Sequence, residues 1–507
     1  MHAIASTPAL LHVLARAGQA SRAWVVASAM LVALLASINF IAGLQRPAQM
    51  FWDEGYYLTS TQRYEDGRAQ FGTHPPLGLM LLAAGDALLQ PNAALDTSHL
   101  GDSKHANGED LPAGYSLLGM RLASGLAAVA TALALFALAL TLVRSLPLAL
   151  LAANQFVFDN ALVAHLRAAH LDAFQLLFIV LSLWALASAV LRPRRAGWRE
   201  AAIGGFGALA MLVKLNAAWL LLPAMMLVGL RAWDRRGEGI AAGLIAASKT
   251  AVRMLAAGLL ASVLVLSAHV SIGRNMPDET TVAGRQDAAF ISGAYRQYLQ
   301  HEITLSPRVL FDAAGDYARF MSTDAAGLGL QDGNSSTPMQ WLRQWKPINY
   351  RWDSDGVHTS YVQLVANPVG WALATLAPLA AALLLWLPWR RSVDVAPSRA
   401  IFLLATLLVA WIACFTLHAW IASQRLMYLY HAFSGLLLGF LIAVLAWRIA
   451  AERWPALQAR QAGVLGAFAT LHLLAFLWWS PLSFHQPLTH AACERRNLPL
   501  HVVECQP

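Results

Sequence analysis

The feature that most constrains this chain is its series of long apolar runs. Eleven segments are long enough, or nearly so, to cross a hydrocarbon core of about 30 Å. They lie near residues 24–44, 115–142, 146–158, 170–191, 201–213, 216–231, 251–271, 365–389, 400–417, 426–447 and 461–480. The third, fifth and sixth are short. Only 13% of the 507 residues are charged, whereas soluble domains have about 25%. The sequence therefore predicts an all-α polytopic membrane protein.

Arginine clusters in alternate connections indicate how these runs are oriented. The connection at 192–199 reads RPRRAGWR, and a later one contains Arg390 and Arg391. Because Lys and Arg concentrate in cytoplasmic loops, the pattern predicts a cytoplasmic amino terminus and a carboxyl end on the outer side. The clusters are short and separated by apolar runs. The formal charge of +8 therefore provides no continuous basic face, and we expect no nucleic-acid binding.

This orientation leaves three polar segments on the outer side. They are two loops, at about 45–114 and 272–366, and the tail at 481–507. We therefore expect one transmembrane domain over residues 1–480, followed by an outer carboxyl-terminal tail.

The three cysteines fit this topology. Cys414 falls within an apolar run, where it is expected to pack, whereas Cys493 and Cys505 lie in the tail. An oxidising compartment would let the two tail cysteines pair, so we predict a disulfide between them.

An acidic pair stands just beyond the first apolar run. The stretch FWDEGYYLTS at 51–60 places Asp53 and Glu54 among aromatic residues. Such a pair at a membrane surface, considered alone, is usually just solvated. A carboxylate on the outer side could also serve as a general base.

The same loop contains the stretch GTHPPLG at 72–78. Pro75 and Pro76 restrict the backbone and place His74 at the start of an apolar segment with helical spacing, which is expected to lie along the membrane interface. Considered alone, His74 is more often a capping or packing residue than a functional one.

Three cations lie at outer helix ends, against the general preference of Lys and Arg for the inner side. They are Arg167, Lys214 and Arg425. A phosphate needs such donors, since Arg makes bidentate contacts and Lys supplies a point charge. Each could instead be a snorkelling side chain. Combined with the acid pair, the cations indicate transfer of a group from a lipid-linked phosphate to a hydroxyl or similar nucleophile.

Several stretches together resemble the protein O-mannosyltransferase family, the dolichyl-phosphate-mannose-dependent branch of the GT-C glycosyltransferases. They cover most of the membrane region in the family's order. They are WDEGYYLTSTQRYEDGRAQFGTHPPLGLMLLAAG, FVFDNALVAHLRAAHLDAFQLLFIVLSLWA, LVKLNAAW, RLMYLYHAF and, more loosely, WLRQWKPINYRWD.

The resemblance implies an inverting transfer of a sugar, typically mannose, from a polyprenyl-phosphate carrier to a hydroxyl on the outer side. It implies a bundle of about eleven spans, in a bacterial inner membrane, with the site on the periplasmic face. Asp53 would be the catalytic base, and Glu54 would help to organise the acceptor site. The donor phosphate would be held by Arg167, Arg425 and Lys214. The site would be shaped by His74, Pro75, Pro76, Asp172, Tyr428 and His431.

The chain departs from the family pattern in two places. Leu79 stands where the family often has a lysine, and the β-trefoil MIR domain of eukaryotic members has no counterpart. The acceptor therefore stays open. Protein Ser/Thr is implied by the resemblance, but related bacterial enzymes modify lipid A, polysaccharide or other envelope glycolipids.

Two other functional classes were considered. A lipid-linked sugar flippase or transporter would carry its decisive polar residues near the bilayer midplane, whereas here they gather at helix ends and in loops. A catalytically silent scaffold would not need Asp53 and Glu54. A metal site has no HExxH or CxxC spacing to support it, although a divalent cation bridging Glu54 and the donor phosphate is conceivable.

Overall fold

A computed structural model of the protein describes residues 22–193, 196–327, 332–343, 345–387, 399–497 and 503–506. Of the arginines in the predicted inner clusters, Arg194, Arg195, Arg390 and Arg391 lie outside this part of the chain. The last two residues of the predicted run 365–389 also lie outside it.

The apolar runs form the long helices of a bundle. The helices are α1 Arg22–Phe40, α2 Glu54–Glu65, α3 Leu77–Leu89, α4 Leu118–Val143, α5 Leu146–Val157, α6 Asn160–Leu166, α7 Asp172–Leu191, α8 Gly197–Val213, α9 Leu221–Asp234, α10 Ile240–Ile272, α11 Val282–Ala288, α12 Gly293–Leu299, α13 Pro307–Gly327, α14 Pro338–Trp341, α15 Pro368–Trp386, α16 Arg399–Ala422, α17 Phe433–Arg453, α18 Pro455–Ser483 and α19 His490–Asn497. Short 3-10 turns lie at Ser98–Gly101, Gly108–Asp110, Leu215–Leu220, Arg236–Glu238 and Leu429–Ala432.

Each of the eleven predicted runs overlaps a helix, but fewer meet the length of a membrane span. Nine helices of the described chain are long and apolar enough to cross a membrane, and the pair α5 and α6, bent by 58°, makes a tenth. Helix α8 has 17 residues and does not count by this measure. Its carboxyl end nevertheless returns to the end of the bundle where α7 begins, because Lys214 contacts Asp172. Helix α8 therefore runs antiparallel to α7.

The break between α5 and α6 has a local cause. The Asp159 side chain accepts a hydrogen bond from the Leu162 amide and so caps a new helix. The other carboxylate oxygen of Asp159 accepts from the Trp371 indole of α15 at 2.8 Å. The new helix directs the chain toward Arg167 at the end of the bundle.

A small sheet, which the sequence analysis did not predict, lies in the second large loop. Strands β1 Ile348–Ser354 and β2 Thr359–Leu364 pair antiparallel, and β3 Pro487–Leu488 from the tail joins β2. The strand order is β1-β2-β3. The fold is thus mostly helical, with this sheet as an addition.

The tail is fixed against the sheet. Cys493 and Cys505 form the predicted disulfide. The backbone nitrogen of Glu504 donates to the Gln363 side chain on β2 at 3.2 Å, and the backbone nitrogen of Gln506 donates to the Tyr361 hydroxyl at 3.0 Å. The tail and the second loop consequently lie at the same end of the bundle.

The two large loops pack on one another through an apolar cluster of their own. Phe71 of the first loop stacks on Phe320 of α13, and their ring centroids are 5.5 Å apart. Lys104 of the first loop forms an ion pair with the buried Asp287 of α11 at 2.5 Å. We call the end of the bundle covered by these loops the loop face.

Candidate active site

The acidic pair begins helix α2 on the loop face. Trp52 has a φ of 54°, in the left-handed region that a bulky residue seldom adopts. Asp53 follows at the amino-terminal cap position, and Glu54 is the first helical residue. This turn directs the two neighbouring carboxylates to different surroundings.

Glu54 is fully buried, with 0% of its surface exposed. Its carboxylate accepts from Arg121 Nε at 2.8 Å and Nη2 at 2.7 Å, and from the backbone nitrogens of Phe51 at 3.0 Å and Ala169 at 2.9 Å. Arg121 also donates to the carbonyls of residues 44, 47 and 49. Glu54 therefore has no free oxygen for an acceptor, and its place is that of a positioning residue.

Asp53 keeps a different set of neighbours. Burial raises the pKa of Asp53 to about 6, Lys214 lowers it, Asp172 raises it and Arg425 lowers it. The side chain is still partly exposed. Asp53 is thus a partly exposed carboxylate that two cations act on, and its pKa of about 6 suits a general base.

Lys214 stands at a helix break. Helix α8 ends at Val213, and Lys214 has an extended backbone with φ −149° before the 3-10 turn begins. Its ammonium group donates to Asp172 Oδ2 at 2.7 Å.

Asp172 also belongs to a series of buried hydrogen bonds that reaches β1. The same Oδ2 accepts from His165 Nε2 at 2.9 Å, and His165 Nδ1 shares a hydrogen bond of 2.7 Å with the Tyr350 hydroxyl of β1. This series of hydrogen bonds, from Tyr350 through His165 to Asp172, holds the Lys214 ammonium group in place from one side. It also explains why Asp172 adds negative charge close to Asp53.

Arg425 supplies the second cation from the connection after α16. Its Nε is buried and has no hydrogen-bond partner among the described residues. A buried guanidinium donor without a partner costs free energy unless a ligand satisfies it. This atom is therefore a candidate donor to a bound anion.

Aromatic rings line the space next to Asp53. Trp52 lies 4.9 Å from Tyr350 and 5.3 Å from Tyr428, between ring centroids, and Tyr428 stacks on Tyr430 at 5.5 Å. Burial raises the pKa of Tyr428 to about 12, with contributions from the charges of Asp332 and Asp53, so its hydroxyl stays protonated. His431 stacks on Tyr430 at 4.5 Å and completes this wall.

His74 reaches the same site from the first loop. Pro75 and Pro76 are buried and precede α3, and the His74 carbonyl accepts from the Tyr317 hydroxyl at 2.8 Å. Burial, followed by the charges of Lys214 and Arg425, lowers the pKa of His74 well below its usual value. A neutral imidazole therefore lies close to both cations.

Arg167 is not part of this cluster. Its Nη1 donates to the Asn39 carbonyl at the end of α1 at 2.8 Å, and its guanidinium lies 4.9 Å from the centre of the Phe484 ring. The charge that acts on it is that of Arg121. Asp53, Lys214 and Arg425 are not among the charges that act on Arg167, so it lies apart from their cluster.

Three contributors were missed by the sequence reasoning. The position of Arg121 could have predicted its role, because a charged residue in the first turn of an apolar run needs a partner of opposite charge. His165 and Tyr350 lie inside stretches quoted for the family resemblance, but only the fold shows that they touch. Their contact joins α6 to β1, which are far apart in the sequence.

The residues do not fit the divalent cation considered above. Within the described residues, no group of three His, Cys, Asp or Glu side chains could hold a metal ion. Both Glu54 oxygens already accept hydrogen bonds, so a cation there would have to displace Arg121.

An apolar cavity opens beside the cations, between α15, α16 and α17. Its volume is about 50 Å³, and it is lined by residues that include Trp341, Trp371, Trp411, His418 and His431. The His418 ring shares a hydrogen bond of 3.0 Å with Asn216, two residues after Lys214. The cavity therefore extends from the charged site into the helix bundle.

Two family models match the sequence. The model described as dolichyl-phosphate-mannose-protein mannosyltransferase matches residues 30–278. The model described as the C-terminal four TMM region of protein-O-mannosyltransferase matches residues 316–500. Among curated proteins, no sequence matches the chain.

One solved structure shows the same fold over nearly the whole chain, and two others match with lower scores. The Saccharomyces cerevisiae protein O-mannosyltransferase Pmt1–Pmt2 complex bound to the sugar donor is similar over 98% of this chain and 96% of that chain, with 13% identity and a TM-score of 0.75. Cupriavidus metallidurans ArnT bound to undecaprenyl phosphate matches 85% of this chain and 79% of that chain, with 13% identity and a TM-score of 0.32. The Archaeoglobus fulgidus oligosaccharyltransferase in the apo form matches 96% of this chain and 57% of that chain, with 12% identity and a TM-score of 0.45.

The two family models together match most of the chain, in consecutive segments and in the expected order. The apolar helices and the GT-C arrangement agree with them. The protein is an integral membrane glycosyltransferase that belongs to the protein O-mannosyltransferase family.

Proposed function

We propose that this protein transfers a mannosyl group from a polyprenyl-phosphate carrier to an acceptor hydroxyl, with inversion at the sugar carbon. The observation that carries the proposal is that the charges of both Lys214 and Arg425 act on Asp53, while the buried Nε of Arg425 has no hydrogen-bond partner among the described residues. A base and two phosphate-binding cations are the groups that such a transfer needs.

In the proposed reaction, Asp53 accepts the proton of the acceptor hydroxyl. The acceptor oxygen forms a bond to the anomeric carbon of the sugar while the bond from that carbon to the phosphate oxygen breaks. The electron pair of the broken bond leaves with the carrier phosphate, whose growing charge Lys214 and Arg425 stabilise. The products are the glycosylated acceptor and the polyprenyl phosphate.

The first units of the carrier chain are proposed to lie at the opening of the cavity beside His431. Its lining is largely apolar, and it opens next to the two cations. A lipid whose phosphate lies at Arg425 could place its chain between α15 and α17. The similar Pmt1–Pmt2 complex is bound to its sugar donor, which supports a donor of this class for the present protein.

The acceptor is proposed to be the hydroxyl of Ser or Thr in a protein, on the outer side of the membrane. Family membership supports this choice. An envelope glycolipid or polysaccharide is the alternative, because the reaction requires only a hydroxyl near Asp53.

The test is transfer of radiolabel from synthetic polyprenyl-phosphate mannose to total envelope acceptors. Membranes would carry the wild type, Asp53→Asn or the matched control Asp96→Asn, which changes an exposed carboxylate of the same loop. Asparagine keeps the size of Asp53 but cannot accept the proton. We expect labelling by the wild type and the control, and at least a hundredfold loss in Asp53→Asn, on the order of a general-base contribution.

The labelled species identifies the acceptor class, since a protease removes a protein label and solvent extraction removes a glycolipid label. Equal labelling by Asp53→Asn would exclude Asp53 as the base. Lack of labelling by the wild type, with mannose and then with other sugars on the same carrier, would refute the proposed reaction.

A further inference from the structure

We propose that Arg167 and Arg46 form a second phosphate-binding site on the loop face, separate from the site around Asp53, and that it holds the headgroup of an anionic membrane lipid. The site is a narrow pocket, partly open to solvent, with a volume of about 10 Å³, so the phosphate would lie at its mouth. Its lining includes Arg46, Phe51, Arg121, Arg167, Val362 and Ser483. The proposal does not depend on the glycosyl transfer proposed above.

The charge balance of the pocket motivates the proposal. Arg167 is buried, with 7% of its surface exposed. Among the described residues no carboxylate lines the pocket, and the only other buried cation of that lining, Arg121, is already paired with Glu54. A buried cation without a counter-charge costs several kcal/mol, so an anion would be stabilised beside Arg167.

The donors of Arg167 are only partly used. Its Nη1 donates to the Asn39 carbonyl, whereas its Nη2 faces Gly43 at the edge of the pocket. A methyl group built on Gly43 would lie 3.7 Å from this Nη2, at an ordinary contact distance, so Gly43 lies directly beside this end of the guanidinium. Arg46, which is exposed, adds a second guanidinium at the mouth. Two such groups suit the oxygens of a phosphate.

The surroundings of the pocket indicate that the phosphate comes from a lipid. The pocket lies near the ends of α1 and α18, and both helices pack on α5. Their other faces carry exposed apolar side chains, such as Leu34 and Ile38 of α1 and Leu474 and Leu477 of α18. Acyl chains could lie along these faces while the headgroup enters between the two helix ends.

Phe51 lines this pocket, whereas Asp53, two residues later, is acted on by the charges of Lys214 and Arg425. Asp53 responds to Lys214 and Arg425, whereas Arg167 responds to Arg121. A lipid bound at Arg167 therefore need not compete with a donor bound at Arg425.

The experiment is native mass spectrometry of the full-length protein in detergent, titrated with phosphatidylglycerol. We expect one tight lipid site in the wild type. Arg167→Gln and Arg46→Gln should each weaken it at least tenfold, while Arg308→Gln, a surface arginine of the second loop, should leave it unchanged. Because Arg46 is exposed, its substitution tests the site even if Arg167→Gln does not fold.

Two further titrations identify the ligand. Phosphatidylcholine, which has a phosphate but no net charge, should not occupy the site. Protection of the wild type against heating by inorganic phosphate, without tight binding of phosphatidylglycerol, would support the phosphate pocket but assign it to a free anion rather than a lipid.

The location is tested with Arg425→Gln, which should keep the tight lipid site. Loss of the site in Arg425→Gln but not in Arg46→Gln would place the lipid in the Asp53 site and overturn the proposal. Equal phosphatidylglycerol affinity in the wild type and both pocket variants would also overturn it.

Discussion

At the scale of single residues, the two neighbouring carboxylates of the first loop differ through their surroundings. Glu54 accepts four hydrogen bonds and is paired with Arg121. Asp53, one residue earlier, is partly exposed and lies near Lys214 and Arg425. The sequence could identify the pair but could not divide the roles, because the division depends on a turn at Trp52 and on an arginine 67 residues away from Glu54.

The first prediction concerns the pH dependence of transfer. Burial raises the pKa of Asp53 to about 6, and only the deprotonated carboxylate can accept a proton. The apparent kcat/KM should therefore be constant above about pH 7 and fall about tenfold per pH unit below the pKa of Asp53.

The pH at which kcat/KM begins to fall, which we call the acid limb, should depend on the charge of Lys214. Lys214 lowers the pKa of Asp53, so Lys214→Gln should move the limb to higher pH in addition to reducing the rate. Lys249→Gln, at an exposed site on α10, is the control and should leave the limb in place. A wild-type profile that stays flat down to pH 5 would show that Asp53 does not titrate as described.

At the scale of helices and strands, the apolar runs were sufficient to predict the bundle. Every predicted run forms a helix, because a long apolar segment must satisfy its own backbone hydrogen bonds inside a membrane. The sheet was missed, since strand β1 depends on β2 and the tail rather than on local pattern. For the same reason Tyr350, which β1 brings to His165, could not be assigned a role.

The ion pair between Glu54 and Arg121 fixes the start of α2 against α4. Both side chains are buried, so Glu54→Gln would leave Arg121 without its counter-charge. We expect a loss of about 3–5 kcal/mol in the free energy of unfolding, seen as a lower midpoint in thermal or denaturant unfolding of the purified protein. Glu109→Gln, at an exposed position of the same loop, should have no such effect.

A double variant isolates the interaction between Glu54 and Arg121 from the other effects of each substitution. Glu54→Gln with Arg121→Gln removes both charges, so it should destabilise the protein by less than the sum of the two single substitutions. Strict additivity of the single effects would show that the two side chains do not interact in the folded protein.

At the scale of the whole molecule, the path of the chain brings distant helix ends to one face. Lys214 follows α8, Arg425 follows α16, and Asp53 precedes α2, yet their charges act on one another. The sequence indicated this convergence because alternate connections were basic and the remaining ones carried the unusual cations. It did not separate Arg167 from the other two, since all three lie at ends of helices on the same face and differ only in lateral position.

The orientation of that face relative to the membrane gives the last prediction. The loop face contains both large loops and the tail, and the opposite end carries basic connections such as the one with Arg235 and Arg236, so the loop face should be outside. Single cysteines introduced at Glu109 and Arg308 should react with a membrane-impermeant maleimide in intact cells. A cysteine at Arg236 should react only after the membrane is opened. Cys414 is buried and Cys493 is paired with Cys505, so the native background is low. Labelling of position 236 in intact cells, with protection of 109 and 308, would place Asp53 on the cytoplasmic side and exclude an outer acceptor.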